Sequence, residues 1–260
     1  MPAIAAVTAG EADAATSAEV PAIQACLSRP DLRIVATLSV SRNANRIVAR
    51  RDHGIQGPAD LRGKHIATQR GTARHLFLHL FLMKNQMADQ DVKLSSIEGA
   101  ELLQALSSGT IDAASLREPL TGQALELLGT NAVSLEAPGL YIRTEQLVVS
   151  RRLLQERPAV VRALLRALLK ADAFASRDRT TAIRCVAAML GQAPERIAAA
   201  WADLDPQVAL DQALLGRLDH EAQWMLAEKE GAGKQMPNFL EIVDPQPLAA
   251  LKPEAVTLIR

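Results

Sequence analysis

Gly109–Thr110–Ile111–Asp112–Ala113–Ala114–Ser115–Leu116–Arg117–Glu118–Pro119 has a counterpart ninety-nine residues earlier, Gly10–Glu11–Ala12–Asp13–Ala14–Ala15–Thr16–Ser17–Ala18–Glu19–Val20. Glycine, aspartate, two alanines, a hydroxyl residue and glutamate recur at the same offsets. An apolar helix end precedes each copy, residues 5–7 in one and 105–106 in the other. One distant repeat of this kind predicts two like-built lobes, not a solenoid.

Each part of the repeat has a physical reading. Gly10 and Gly109 stand where a helix stops and the chain must take positive φ, which glycine does without penalty. The small apolar run after each aspartate suits a short strand buried on both faces, as in a parallel sheet covered by helices. The hydroxyl residue and the glutamate then fall just past the strand's end, where open α/β sheets hold their ligands. The plainer alternative is that Ser115 or Thr16 caps the next helix, with Glu118 or Glu19 in its first turn.

At 260 residues the chain suits two α/β lobes better than one small core. Apolar residues make up 48% and charged residues 22%, a globular composition. Lys+Arg and Asp+Glu balance at 29 each, so the basic footprint of a nucleic-acid binder is missing. Aromatics at 3% also argue against base-stacking platforms. No apolar run reaches the length of a membrane span, and no basic-then-apolar leader is visible at the start. Cys26 and Cys185 both fall in helical patterns and read as two reduced, buried thiols, with one disulfide as the alternative.

Before the second copy the chain reads as strand 65–68, helix 72–86, strand 92–97 and helix 101–106. The first copy lacks that βαβ lead, and residue 1 already falls inside its last helix. About 35–45 residues are expected to be missing in front, by analogy with the repeat spacing. An upstream reading frame is expected to encode a strand and a helix. Further expectations are helix 21–27, strand 32–40, strand 46–50, helix 120–128, strand 132–135 and strand 146–150, the last paired with 46–50 at a crossing between lobes. Residues 52–63 carry Gly54, Gly57, Pro58 and Gly63, the loop composition expected of a crossing between lobes. From Pro158 helices dominate, over 181–190, 194–202 and 206–230, opened by Thr or Pro. Arg162, Arg166 and Lys170 form a cationic stripe opposite Val161, Leu164, Leu165 and Leu168, and such a stripe reads as a solvated face.

Segments 10–21, 32–49, 60–64 with Gly71–Thr72, 109–119 and 147–175, in this order and spacing, resemble the substrate-binding proteins of the nitrate/sulfonate/taurine class of ABC importers and the related thiamine-precursor-binding group. The resemblance implies an α/β, type II periplasmic-binding-protein fold: two Rossmann-like lobes joined by two crossing strands, with the first lobe incomplete here. Lobe 1 is expected over 1–50 and 146–260 and lobe 2 over 51–145. It also implies a receptor that closes on a small anionic solute such as a sulfonate, taurine, nitrate or bicarbonate. Its partners would be the membrane permease and ATPase of the importer, and its compartment the periplasm. The alternatives are an enzyme on the same fold, such as a pyrimidine-precursor synthase or desulfinase, or a cytoplasmic ligand-sensing domain. No cofactor or metal is expected, and the chain is expected to act as a monomer.

The ligand-binding candidates are Thr16, Ser17, Ser41, Arg42 and Asn43 in the first lobe and Gly71, Thr72, Ala73 and Glu118 in the second. Backbone N–H groups at 71–73 open a helix, whose positive end favours an anion. Hydroxyls add hydrogen bonds to anionic oxygens. Arg42 or Arg70 can pair with two such oxygens side by side. Glu118 either meets a ligand ammonium or pairs with Arg117. His75 and His79 have metal-pair spacing but no identifiable third ligand, so they read as ordinary helix histidines. Asp13 and Asp112 occupy matched repeat positions in different lobes and so do not read as an acid/base pair.

Overall fold

The computed structural model describes residues 2–227 and 235–259 of the chain. It divides into two compact units: unit 1 is residues 1–41 with 143–260, and unit 2 is residues 42–142.

Unit 2 shows the complete repeat. Strand β4 (His65–Thr68) leads into helix α3 (Ala73–Lys84), β5 (Lys93–Ser96), α4 (Gly99–Ser108) and β6 (Ala113–Arg117). Helix α5 (Leu120–Leu128) and β7 (Ala132–Leu135) complete the unit, together with β3 (Asn45–Arg50). The sheet order is β5-β4-β6-β3-β7, with β4 parallel to β5 and β6, and β3 antiparallel to β6 and β7. Val48, Ala67 and Ala114 from three strands pack on Leu102 and Leu106 of α4 and Ala124 of α5. Small residues in β6 let helices close on both faces of the strand, as the Ala113–Ala114 run predicts.

Unit 1 holds the other copy. Helix α1 (Pro2–Ala9) is followed by β1 (Ala14–Ala18), α2 (Glu19–Ser28) and β2 (Leu32–Ser41). The chain returns at β8 (Arg143–Ser150) and continues through α6 (Arg151–Glu156), α7 (Pro158–Arg177), α8 (Arg179–Leu190), α9 (Pro194–Ala202), β9 (Leu204–Ala209) and α10 (Gln212–Ala227). Two short helices close it, α11 (Phe239–Ile242) and α12 (Gln246–Ala249). The sheet order is β1-β8-β2-β9, with neighbours antiparallel. Its core joins Ile23 and Cys26 of α2 with Ile34, Val148, Val161, Leu165, Leu214 and Leu218. On α7 the apolar stripe at Val161 and Leu165 is buried, and Arg162, Arg166 and Lys170 are exposed, as the periodicity predicts.

The two copies correspond element by element from the helix before each glycine onward. Gly10 follows α1 at φ 81° and Gly109 follows α4 at φ 79°. The strands β1 and β6 begin and end ninety-nine residues apart. In each copy the aspartate carbonyl accepts the N–H that ends the antiparallel neighbour: Ser150 N donates to Asp13 O at 2.9 Å, and Arg50 N donates to Asp112 O at 2.9 Å. By this pairing β8 in unit 1 corresponds to β3 in unit 2, and β2 to β7. The copies differ at one edge: β6 lies between β4 and β3, while β1 is an edge strand among the described residues.

Three expectations need correction. Residues 146–150 do not pair with 46–50. Both edges of β8 are filled by β1 and β2, from Leu32↔Ser150 to Ser41↔Arg143, and β3 is sheathed by β6 and β7. Strand β3 therefore lies in the sheet of unit 2, and residues 52–63 fall inside that unit and are not the crossing between lobes. Pro206 does not open a helix but sits inside β9. That strand is at the sheet edge, where a residue without an N–H is tolerated, and Pro206 faces Ser39 beside an irregular step in β2. The helix begins at Gln212, and residues 228–230 of the expected span lie outside the described residues.

A Cβ built on Gly109 would approach His53 Nε2 to 3.2 Å and Cε1 to 3.3 Å, whereas one on Gly10 meets only Arg29 Nη1 at 3.8 Å. His53 cannot easily yield, because Asp112 Oδ1 holds its Nδ1 at 2.6 Å. Both alanine variants incur a positive-φ cost of about 1–2 kcal/mol. Gly109→Ala should therefore lose more stability than Gly10→Ala in urea melts, and equal losses would remove the steric account of the second copy.

Candidate functional site

In unit 2 the carboxyl ends of β4 and β6 gather polar groups that are buried without partners. Thr68 is the last residue of β4 and is fully buried, and its Oγ1 has no hydrogen-bond partner among the described residues. Asn45 opens β3 opposite Arg117 at the end of β6, and neither side-chain polar atom of this buried residue is satisfied. Thr121, four residues past the end of β6, is also buried with Oγ1 unpartnered. A buried polar group left without a partner costs about 1–3 kcal/mol. Several such groups at one sheet end mark a place where a bound molecule or water completes the bonding.

The loop after β4 shapes the same end. Gly71 takes φ 67°, and its N–H reaches His75 Nδ1 at 3.4 Å. Thr72 occupies the cap position of α3, but its Oγ1 donates to the Gln69 carbonyl at 2.7 Å and caps nothing. Ala73 is the first residue of the helix, and Arg74, the second, is buried. Arg74 Nη2 donates to Gln69 Oε1, and the Arg74 carbonyl accepts Ser115 Oγ at 2.8 Å, tying the helix start to β6. Burial, then the nearby Arg117, pull the Arg74 guanidinium below its usual value, with Glu98 opposing. Glu118 is exposed and accepts the Gly122 N–H at 3.2 Å. Ser115 does not cap α5.

Unit 1 presents a different arrangement at the carboxyl end of β1. Ser17 and Thr37 both register against Gln146, and all three are buried. Thr37 Oγ1 donates to Gln146 Oε1 at 3.0 Å, Gln146 Nε2 donates to Thr144 Oγ1, and Thr144 Oγ1 donates to Glu19 Oε1. Thr144 N also donates to Glu19 Oε1, at 2.5 Å. Every donor in the relay runs toward Glu19, a fully buried carboxyl whose Oε2 has no partner. Ser17 Oγ donates to the Ala18 carbonyl at 3.1 Å. Contrary to expectation, Thr16 and Ser115 lie inside β1 and β6 and not past their ends, and β1 is an antiparallel edge strand that leaves Thr16 exposed and capping nothing. Ser41 is buried at the end of β2. Arg42 is exposed, and Asn43 donates to Glu136 Oε2 at 3.3 Å, both within unit 2.

Sequence reasoning missed Asn45, Thr68, Arg74, Thr121 and the relay to Glu19. Arg74 was legible in principle as a charge inside an otherwise apolar helical face. The others depend on which neighbour each strand receives. His79 pairs with Asp89 at 3.0 Å, and no group of three or more metal-ligating side chains occurs among the described residues. Asp13 meets Arg152 at 3.0 Å, and Asp112 meets His53 and the His65 N–H at 2.7 Å, at the amino ends of their strands. His65, the first residue of β4, also contacts Ser95 Oγ of β5 through Nε2 at 3.0 Å. Cys26 and Cys185 are free thiols, but only Cys26 is buried as expected and Cys185 is exposed on α8; burial pushes Cys26 up to about 12, so it holds no thiolate at neutral pH.

Residues 2–182 match the model of a family described as NMT1/THI5 like. The chain belongs to that family. An Escherichia coli (strain K12) protein named for aliphatic-sulfonate binding is 24% identical over 205 residues, which cover 79% of this chain and 64% of that protein. The chain thus spans just under two thirds of that relative's length. The solved structure of the periplasmic aliphatic sulphonate binding protein SsuA from Escherichia coli matches with a TM-score of 0.76 at 20% identity, covering 94% of this chain and 81% of that one. The desulfurization enzyme DSZB matches at 0.66 and 19%, covering 91% and 84%. The fold is therefore that of the type II periplasmic binding proteins.

Burial of Glu19 raises its carboxyl from 4.5 to about 7, against the hydrogen bonds from Thr144 and the charge of Arg143, which is itself paired with Glu145 at 2.6 Å. Between these two values the native protein keeps a proton that the unfolded chain has lost. Stability should therefore fall as pH rises from about 4.5 to 7 and level off above, a loss on the order of 3 kcal/mol. Glu19→Gln mimics the protonated acid and should abolish this slope in urea melts at pH 5 and pH 8. An unchanged slope would mean that Glu19 does not titrate in this range.

Proposed function

We propose that this chain belongs to the solute-binding receptor of an ABC importer, acting in the periplasm and taking a small anion of the sulfonate class. The supporting observation is the set of buried, unpartnered donors and acceptors at the carboxyl ends of β4 and β6, in a family member whose E. coli relative is named for aliphatic-sulfonate binding. Strand carboxyl ends are where open α/β sheets take their ligands. Hydroxyl and amide groups from Thr68, Asn45 and Thr121 suit several anionic oxygens at once. Scarce aromatics favour a compact oxygen-rich solute over a flat heterocycle. On this reading, Gly71, Thr72 and Ala73 shape the ligand loop. The same reading assigns partner roles to a membrane permease and an ATPase.

A receptor role is favoured over an enzyme on the same fold. A thiol held at about 12 is no nucleophile at neutral pH, and Cys185 lies exposed on α8 rather than at a strand end.

Thermal-shift titrations of the full-length protein test the assignment. Ethanesulfonate or taurine should raise the melting temperature with the logarithm of concentration, with stabilisation of about 2.7 kcal/mol at one hundred times Kd. Nitrate and bicarbonate serve as the smaller anions of the panel. Flat responses to every anion would overturn the receptor reading.

A further inference from the structure

Two arginines are buried among the described residues, and one of them stands beside the polar groups at the β4 end. Arg33 of β2 is 7% exposed and Arg74 of α3 is 8% exposed. Arg33 Nη1 donates to the Pro30 and Leu32 carbonyls, at 2.7 and 2.6 Å, while burial and then the nearby Arg151 pull its guanidinium below its usual value, with Asp244 and Asp31 among the groups opposing. Two backbone carbonyls of its own unit thus hold it. Arg74 makes one side-chain hydrogen bond, to the neutral amide oxygen of Gln69, and forms no carboxylate ion pair among the described residues. The acidic group that acts on it, Glu98, is exposed to solvent, and Arg117 adds a second positive charge on the same side. A buried cation without a counter-ion is costly, and arginines are almost never left so unless something pairs with them.

Resting on the receptor reading above, we infer that Arg74 is the residue that pairs with the anionic head of the solute and makes the site selective for charged over neutral ligands. Its place at the second residue of α3 puts it just after the β4 end that carries Thr68. Ser115 of β6 holds the Arg74 backbone through its carbonyl, so the guanidinium is based on a fixed helix start rather than on a loop. That separates it from Arg42, which is exposed. A guanidinium presents paired N–H groups that match two oxygens of a sulfonate, and its charge stays fixed across the physiological range. Hydroxyl and amide groups from Thr68, Asn45 and Thr121 are neutral and would serve a sulfone as well as a sulfonate. The preference for a charged head thus falls to Arg74.

Calorimetric titration with ethanesulfonate and with neutral ethyl methyl sulfone tests the assignment. Wild type should bind the sulfonate and discriminate against the sulfone. Arg74→Gln should weaken sulfonate binding about 10- to 100-fold while changing the sulfone little. Arg166→Gln, on the solvated face of α7, should leave both unchanged. A second measurement needs no variant: bound ethanesulfonate should protect Arg74 from phenylglyoxal, read by peptide mass spectrometry. Equal sulfonate affinity in wild type and Arg74→Gln, or modification of Arg74 at full rate with sulfonate bound, would overturn the role of Arg74 and leave the receptor reading standing. Wild type that binds no anion of the panel would overturn both.

Discussion

The corner at which a helix stops on a left-handed glycine and turns into an alanine-rich strand organises each unit. Gly10 and Gly109 take the same φ within a few degrees, and the aspartate three residues on offers its carbonyl to the end of the antiparallel neighbour in both. That bond fixes the register of β1 on β8 and of β6 on β3. Register in turn decides which side chains stand at the strand's carboxyl end. A one-residue slip would send every side chain of the short strand to the opposite face. The side chain of Asp112 strengthens the second corner by holding both His53 and the N–H of His65. At the first corner the Asp13 side chain meets Arg152 at 3.0 Å and accepts Ser150 Oγ at 3.4 Å.

From like corners the two units deliver unlike chemistry. In unit 2 the repeated strand is interior, and its end is ringed by neutral polar atoms with a buried cation nearby. In unit 1 the repeated strand is at the edge, and its end leads into a buried carboxyl fed by a one-way chain of donors from Thr37 through Gln146 and Thr144. Glu19 and Glu118 are counterparts in sequence, yet one is fully buried and raised toward neutrality and the other is exposed against a backbone N–H. Burial, not identity, separates them. The desolvation of a carboxyl dominates its hydrogen bonds when no cation is in direct contact.

Pro206 shows how a sound local rule loses to tertiary context. Proline often opens a helix, because its missing N–H is not needed there. At a sheet edge the same missing N–H is equally harmless, and β2 had a free edge to offer. The pairing expected between 46–50 and 146–150 failed for a related reason. Both segments are strands of the right length, but each finds partners for both of its edges inside its own unit.

The sequence alone determined the twofold repeat, the places where helices stop, the strands at 65–68, 113–117 and 132–135, the buried stripe of α7 and the class of fold. The class of fold follows from the family resemblance carried by the order of the motifs, and the rest from glycine's freedom at positive φ and from hydrophobic periodicity, which act over a few residues. Only the tertiary structure decided that Arg74 is buried without a carboxylate, that Asn45 and Thr68 end side by side with β6, and that Thr16 is exposed while Ser115 is buried. Those outcomes depend on which strands become neighbours. Neighbours are chosen by contacts between residues far apart in the chain, and a local pattern carries no record of them.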